Sequence, residues 1–111
     1  MMSYQIYITR KAENDLIQAA DYIEFILKNP QAASALLDRA DKKIRELADF
    51  PEKSALVEDP VLRAWGIRFT QVNHYLAFYI ISEEEQRIYI VRFLYEKRNW
   101  ISILKSGYSL E

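Results

Sequence analysis

The sequence contains no cysteine, only two glycines, and a single histidine in 111 residues. Without cysteine there is no disulfide framework, no thiolate nucleophile and no cysteine-based zinc site, a pattern that suits a reducing cytoplasm. Two glycines do not build a glycine-rich phosphate loop. No apolar run approaches the ~20 residues that span a bilayer, and the start lacks the basic-then-apolar pattern of a secretory leader. A cytoplasmic protein with no membrane partner is therefore expected. What the chain has in quantity is core-forming material: half of it is apolar and 14% is aromatic, with eight tyrosines and five phenylalanines. At this length that predicts one domain over residues 1–111.

The net charge of −1 conceals an uneven distribution. Residues 1–61 carry 8 Lys and Arg against 11 Asp and Glu, whereas residues 62–111 carry 7 against 5. Three of the latter acids are consecutive, Glu83-Glu84-Glu85. The C-terminal half is thus modestly basic, short of the clear excess typical of a strong nucleic-acid binder. The acids Asp15, Asp21, Glu24, Asp38, Asp41 and Glu46 fall on polar helix faces without a spacing specific for metal, so neither a metal nor a cofactor is expected.

Alternation in Tyr4-Gln5-Ile6-Tyr7-Ile8-Thr9 predicts a first strand, after which Thr9 is placed to cap a helix. Ala12, Leu16, Ala20, Ile23 and Leu27 then recur at three and four residues, one apolar helical stripe. Asn29-Pro30 ends that helix and starts another, with Asn as cap and Pro at the first position. The second stripe, Ala33, Leu36, Leu37, Ala40, Ile44, Leu47 and Ala48, stops at Phe50-Pro51. Two helices joined so tightly predict an antiparallel hairpin. Residues 51–61 read as a loop. Three strands come after it: Trp65, Ile67 and Phe69 alternate with polar or small residues, and Tyr75–Ile81 and Ile88–Tyr95 are nearly continuous apolar runs. A short helix from Asn99 would turn Trp100, Ile103 and Leu104 inward. The expected architecture is α+β: an N-terminal strand, a helix hairpin packed on a mainly antiparallel four-stranded sheet, and a short C-terminal helix.

The segments Tyr75-Leu76-Ala77-Phe78-Tyr79 and Ile90-Val91-Arg92-Phe93-Leu94-Tyr95-Glu96-Lys97-Arg98-Asn99-Trp100, with the opening Thr9, Ala12, Asp15-Leu16 and Ile23, resemble the RelE/ParE toxin superfamily. The resemblance covers nearly the whole chain. It implies the toxin of a type II toxin–antitoxin (plasmid stabilisation) system, neutralised by a cognate antitoxin, with a heterotetramer of the two as one expected form of the complex. Two activities occur on this fold: ParE-like toxins bind DNA gyrase, and RelE-like toxins cleave mRNA at the ribosome without metal.

The residues favour the binding activity. Leu76 stands where RelE itself places a phosphate-binding arginine, and losing a donor aimed at a scissile phosphate costs ~10²–10³ in rate. For a nuclease, the remaining catalytic candidates are Arg68, His74, Lys97 and Arg98. For target or antitoxin binding they are Arg92, Tyr95, Lys97 and Arg98, beside an exposed sheet. Each has a plainer alternative. His74 is either a general acid–base or a polar turn residue. Arg92 either faces an open side of the sheet or pairs with a carboxylate such as Glu96 or one from a helix. Lys97 and Arg98 are either contact residues at a strand end or simply solvated. Most tyrosines are sheet-packing residues. The expected function is growth inhibition by binding. The alternatives are an endoribonuclease and a non-toxic protein that only binds antitoxin.

Overall fold

A computed structural model describes residues 3–111. Strand β1 (Gln5–Ile8) leads into helix α1 (Arg10–Asp21), which widens into a π-helical turn (Tyr22–Ile26), and then α2 (Pro30–Glu46). A short 3₁₀ turn (Pro51–Lys53) and helix α3 (Pro60–Ala64) precede β2 (Arg68–Val72), β3 (Tyr75–Ser82), β4 (Arg87–Tyr95) and α4 (Trp100–Lys105). The expected caps are present. Thr9 Oγ1 accepts from Ala12 N at 3.3 Å, Asn29 Oδ1 from Ala32 N at 3.0 Å, and Asn99 Oδ1 from Ser102 N at 3.3 Å. Each supplies an acceptor to an amide that has no partner inside its own helix.

The sheet is mixed, in the order β1-β4-β3-β2. β2–β3 and β3–β4 are antiparallel, while β1 lies parallel to β4, with Gln5 opposite Arg87 and Ile8 opposite Ile90. The parallel pair results from the connection: the helical hairpin and α3 return the chain so that β2 runs with β1, and two antiparallel steps through β3 bring β4 into the same direction. β1 covers only the first part of β4. Where it ends, β4 bulges: Tyr79 opposes Ile90 and Phe78 opposes Arg92, which leaves Val91 as an extra residue. Past that point α1 satisfies the edge. The Thr9 hydroxyl donates to Ile90 O at 2.8 Å, and Phe93 N donates to Asp15 Oδ2 at 3.0 Å.

One face of the sheet packs on the helical hairpin through two clusters. Ala12, Ile44 and Leu47 meet Tyr79, Ile88 and Ile90; Ala19, Leu36 and Ala40 meet Val72, Ala77 and Phe93. The other face was expected to be exposed, and it is not. Leu62 of α3, Leu104 of α4, Val57 and Ile67 bury Leu76, Phe78, Val91 and Leu94. The cause is helix α3, which starts at the end of the supposed loop and runs up to the supposed strand, whose first residue, Trp65, is the helix's C-cap. Asp59 caps it by accepting from Val61 N and Leu62 N at 3.1 and 3.2 Å, and Pro60 takes the first position. Gly66, at φ +79°, closes it: Gly66 N donates to Arg63 O and Ile67 N to Leu62 O. Strand β2 therefore starts at Arg68, and the alternation of Trp65, Ile67 and Phe69 is part helix end, part strand.

Leu27 also departs from expectation. The π-helical turn, marked by Leu27 N donating to Tyr22 O at 3.1 Å, adds a residue to the turn and rotates the side chains beyond it about the helix axis. Leu27 leaves the buried stripe and is exposed, with Tyr22, Phe25 and Ile26.

Candidate functional site

A groove of about 690 Å³ lies between α1, its π-helical turn and the β3–β4 end of the sheet. Two further hollows, one beside Phe50 and one between β1 and α2, hold none of the candidate residues. The groove floor is aromatic. Tyr75 stacks on Phe93 with ring centroids 5.1 Å apart and 7° between planes, and Tyr95 stands edge-on to Tyr75 at 5.7 Å. Ala19, Tyr22, Ile23 and Leu27 form the helical wall. Burial, with Tyr95 and Tyr22 nearby, raises the Tyr75 phenol above its ordinary value, so it stays protonated at neutral pH.

His74 and Arg98 stand on the groove's rim. His74 occupies a two-residue turn between β2 and β3, where Asn73 takes the left-handed φ of +55° that Asn tolerates. Its Nδ1 lies 2.9 Å from Glu96 Oε2, while Gln71 Nε2 donates to Glu96 Oε1 at 3.1 Å. Strand register explains the meeting: Tyr75 pairs with Tyr95, so the next residues outward, His74 and Glu96, are neighbours, and Glu96 N donates to His74 O. The imidazole is 77% exposed. Lys97 and Arg98 occupy the exposed turn after β4, and among the described residues neither side chain has a carboxylate partner.

The other two candidates are elsewhere. Arg92 takes the second of its two alternatives, but with a helix carboxylate and not with Glu96. Its Nε and Nη2 donate to Asp15 Oδ2 and Oδ1 at 2.7 and 3.0 Å, and the side chains are 13% and 8% exposed. This bidentate pair fastens α1 to the edge of β4 and leaves little of the guanidinium for a partner. Arg68 begins β2, at the opposite end of the β2–β3 hairpin from His74, roughly 20 Å away by the rise of a strand. It donates to Ser54 O at 2.7 Å and holds the preceding loop. Leu76 is buried under α3 and α4, facing away from the groove. Nothing brings Arg68 and His74 together. His74, Tyr95 and Arg98 do share one site, with Lys97 beside it.

Tyr22, Leu27 and Gln71 were not expected at a site from the sequence, which placed Leu27 in the buried stripe. A signal existed for the first two: Tyr22-Ile23-Glu24-Phe25-Ile26-Leu27 has five apolar residues in six, more than one face of a helix buries.

The model of the family described as "ParE toxin of type II toxin-antitoxin system, parDE" matches residues 6–100. Among solved structures, the chain is similar to one of the chromosomal ParDE toxin–antitoxin system from P. aeruginosa. The TM-score is 0.68 at 21% identity, covering 84% of this chain and 96% of that one. It is also similar to a chain of the RelBE2 toxin–antitoxin complex from Mycobacterium tuberculosis. There the TM-score is 0.57 at 18% identity, covering 84% and 98%. No curated protein matches the sequence. At these identities the two structures speak for the fold, and the family match over most of the chain speaks for descent: the chain belongs to the ParE toxin family of type II toxin–antitoxin systems.

Proposed function

We propose that the chain is a cytoplasmic toxin that arrests growth by binding DNA gyrase, and that a cognate antitoxin encoded with it neutralises it in a complex with the stoichiometry of a heterotetramer. The observation that carries the binding mode is the composition of the groove. Aromatic and aliphatic side chains line it, and the cations are on its rim at Arg98 and the adjacent Lys97. Phosphodiester cleavage without metal needs cations and proton-transfer groups converging on one phosphate within hydrogen-bond reach. Here Arg68 is at the far end of a strand, Arg92 is committed to Asp15 and Leu76 is in the core. A surface of this kind recognises a protein, with the apolar part supplying affinity and the charges supplying orientation.

One observation favours a second reading. The His74–Glu96 pair, braced by Gln71, holds an exposed imidazole by one nitrogen and leaves the other free, an arrangement suited to a general base. With Arg98 beside it, this could serve an endoribonuclease.

The two readings separate when the chain is induced without its partner and mRNA 5′ ends are mapped within minutes. Arrested growth with intact messages is expected. New cuts within translated messages, abolished by His74→Gln, would replace the first reading with the second. Intact messages with normal growth would leave a protein that binds antitoxin and is not itself toxic.

A further inference from the structure

Phe25 and Ile26 are the most exposed large apolar side chains among the described residues, with 64% and 65% of their surface in solvent. They sit on the π-helical turn that ends α1, a geometry retained mostly where it serves a site. Neither lines the groove, whereas their neighbours Tyr22 and Leu27, themselves more than half exposed, do. A projecting apolar knob and an apolar hollow therefore stand side by side on one molecule, and the knob leaves the hollow beside it open. Single exposed apolar residues are ordinary, but a cluster of this size marks a contact surface.

The charges divide in the same way. Asp21 and Glu24 flank the knob, and among the described residues neither has an ion-pair partner. Lys28, at the end of the turn, offsets one of them. At the hollow, Arg98 lies on the rim with Lys97 next to it, again without acidic partners among the described residues. The carboxylates on that side are occupied, Glu96 by His74 and Gln71, and Asp15 by Arg92. One molecule thus carries acid beside its knob and base beside its hollow.

A surface with two complementary halves closes on itself about a two-fold axis, where each half of one copy meets the other half of its twin. We infer that the hairpin tip and the groove are the halves of one such interface, and that its occupant is a second copy of this chain. Phe25 and Ile26 of each copy enter the other's groove, against Tyr22, Leu27 and the Tyr75–Phe93 stack. Asp21 and Glu24 of each copy face Arg98 and Lys97 of the other. A nucleic acid fits this surface poorly: it meets the two acids as well as the two cations, and has nothing to set against Phe25 and Ile26. The interface uses side chains that folding leaves exposed, so the dimer forms reversibly from a folded chain. It stands whichever cellular target the toxin has.

Sedimentation velocity on the full purified chain, from about 1 to about 100 μM, reads the dimer directly. Wild type should pass from monomer to dimer within that range and move back toward monomer as salt rises. Phe25→Ser and Ile26→Ser should each weaken dimerisation by about 100-fold or more, because every change occurs twice in a two-fold interface. Arg98→Glu should weaken it by about 10-fold or more, and so should Asp21→Lys combined with Glu24→Lys. Mixing those two charge-reversed proteins should restore a dimer containing one of each, since opposite charges then meet again at both contacts. Phe50→Ser, 62% exposed beside a different hollow, should change nothing. Circular dichroism confirms that each variant is folded. A wild type that stays monomeric at about 100 μM would overturn the inference and leave this surface to another partner. A dimer that tolerates the tip and rim substitutions, or a charge-reversed mixture that stays monomeric, would overturn it equally.

Discussion

The two ends of the helical hairpin treat the same kinds of residue in opposite ways. At the base, Ala12, Ile44 and Leu47 disappear against Tyr79, Ile88 and Ile90, and the Asp15–Arg92 ion pair is nearly buried and satisfied on both sides. At the tip, Tyr22, Phe25, Ile26 and Leu27 stay in solvent, and the nearby cations Lys97 and Arg98 stay unpaired among the described residues. The base holds the fold together. The tip carries surface that folding does not use, and uncovered apolar surface beside unpaired charge is what a binding protein offers.

If that division holds, substitutions at the base should cost stability and substitutions at the tip should not. The largest effect is expected from Asp15→Ala. It strands the Arg92 guanidinium and removes the acceptor of Phe93 N, so about 3–5 kcal/mol should be lost in urea unfolding. Leu62→Ala opens a hole in the layer that covers the second face of the sheet and should cost about 2–5 kcal/mol by the same measurement. Gly66→Ala forces a side chain into a left-handed conformation at φ +79°; with open space around its Cβ, the cost is backbone strain alone, about 1–2 kcal/mol. Tyr22→Ser and Leu27→Ser should stay within about 0.5 kcal/mol of the wild type, because exposed sites away from such features rarely matter more.

The smallest effect is a pH dependence at α3. Hydrogen bonds from Leu62 N first, then the Lys105 ammonium and Val61 N, hold the Asp59 carboxyl below its ordinary value. A carboxylate depressed in the folded state contributes stability above its unfolded pKa, and that contribution fades as pH falls through the folded one. Asp59→Asn should therefore flatten the acid limb of the stability curve below about pH 4 without moving the neutral plateau much.

Much of the base was legible in the sequence, and the tip was only half so. Thr9, Asn29-Pro30 and Asn99 announced their helices because a cap is a local event, read from one residue and the stripe after it. Asp59-Pro60 carries the same signal as Asn29-Pro30, yet five residues are too few for a stripe, and the alternation through Trp65, Ile67 and Phe69 masked the helix end. That error left a face of the sheet open which α3 and α4 in fact close. The partner of Arg92 was out of reach for another reason: Asp15 lies 77 residues earlier, and only the tertiary placement of α1 along β4 joins them. His74 and Glu96, 22 residues apart, meet through the β3–β4 register, which a hairpin's turn position fixes but a bare sequence does not. Leu27 obeyed a 3.6-residue period up to the π-helical turn, where the period itself changed.

The most direct test of the central claim is whether purified DNA gyrase responds to the purified chain. With wild type, gyrase should accumulate cleaved DNA in proportion to added protein, and Lys97→Ala with Arg98→Ala should weaken this by about 10-fold or more while the fold is unchanged. Gyrase that turns over normally at saturating protein, with growth still arrested in cells, would contradict the account and place the target elsewhere.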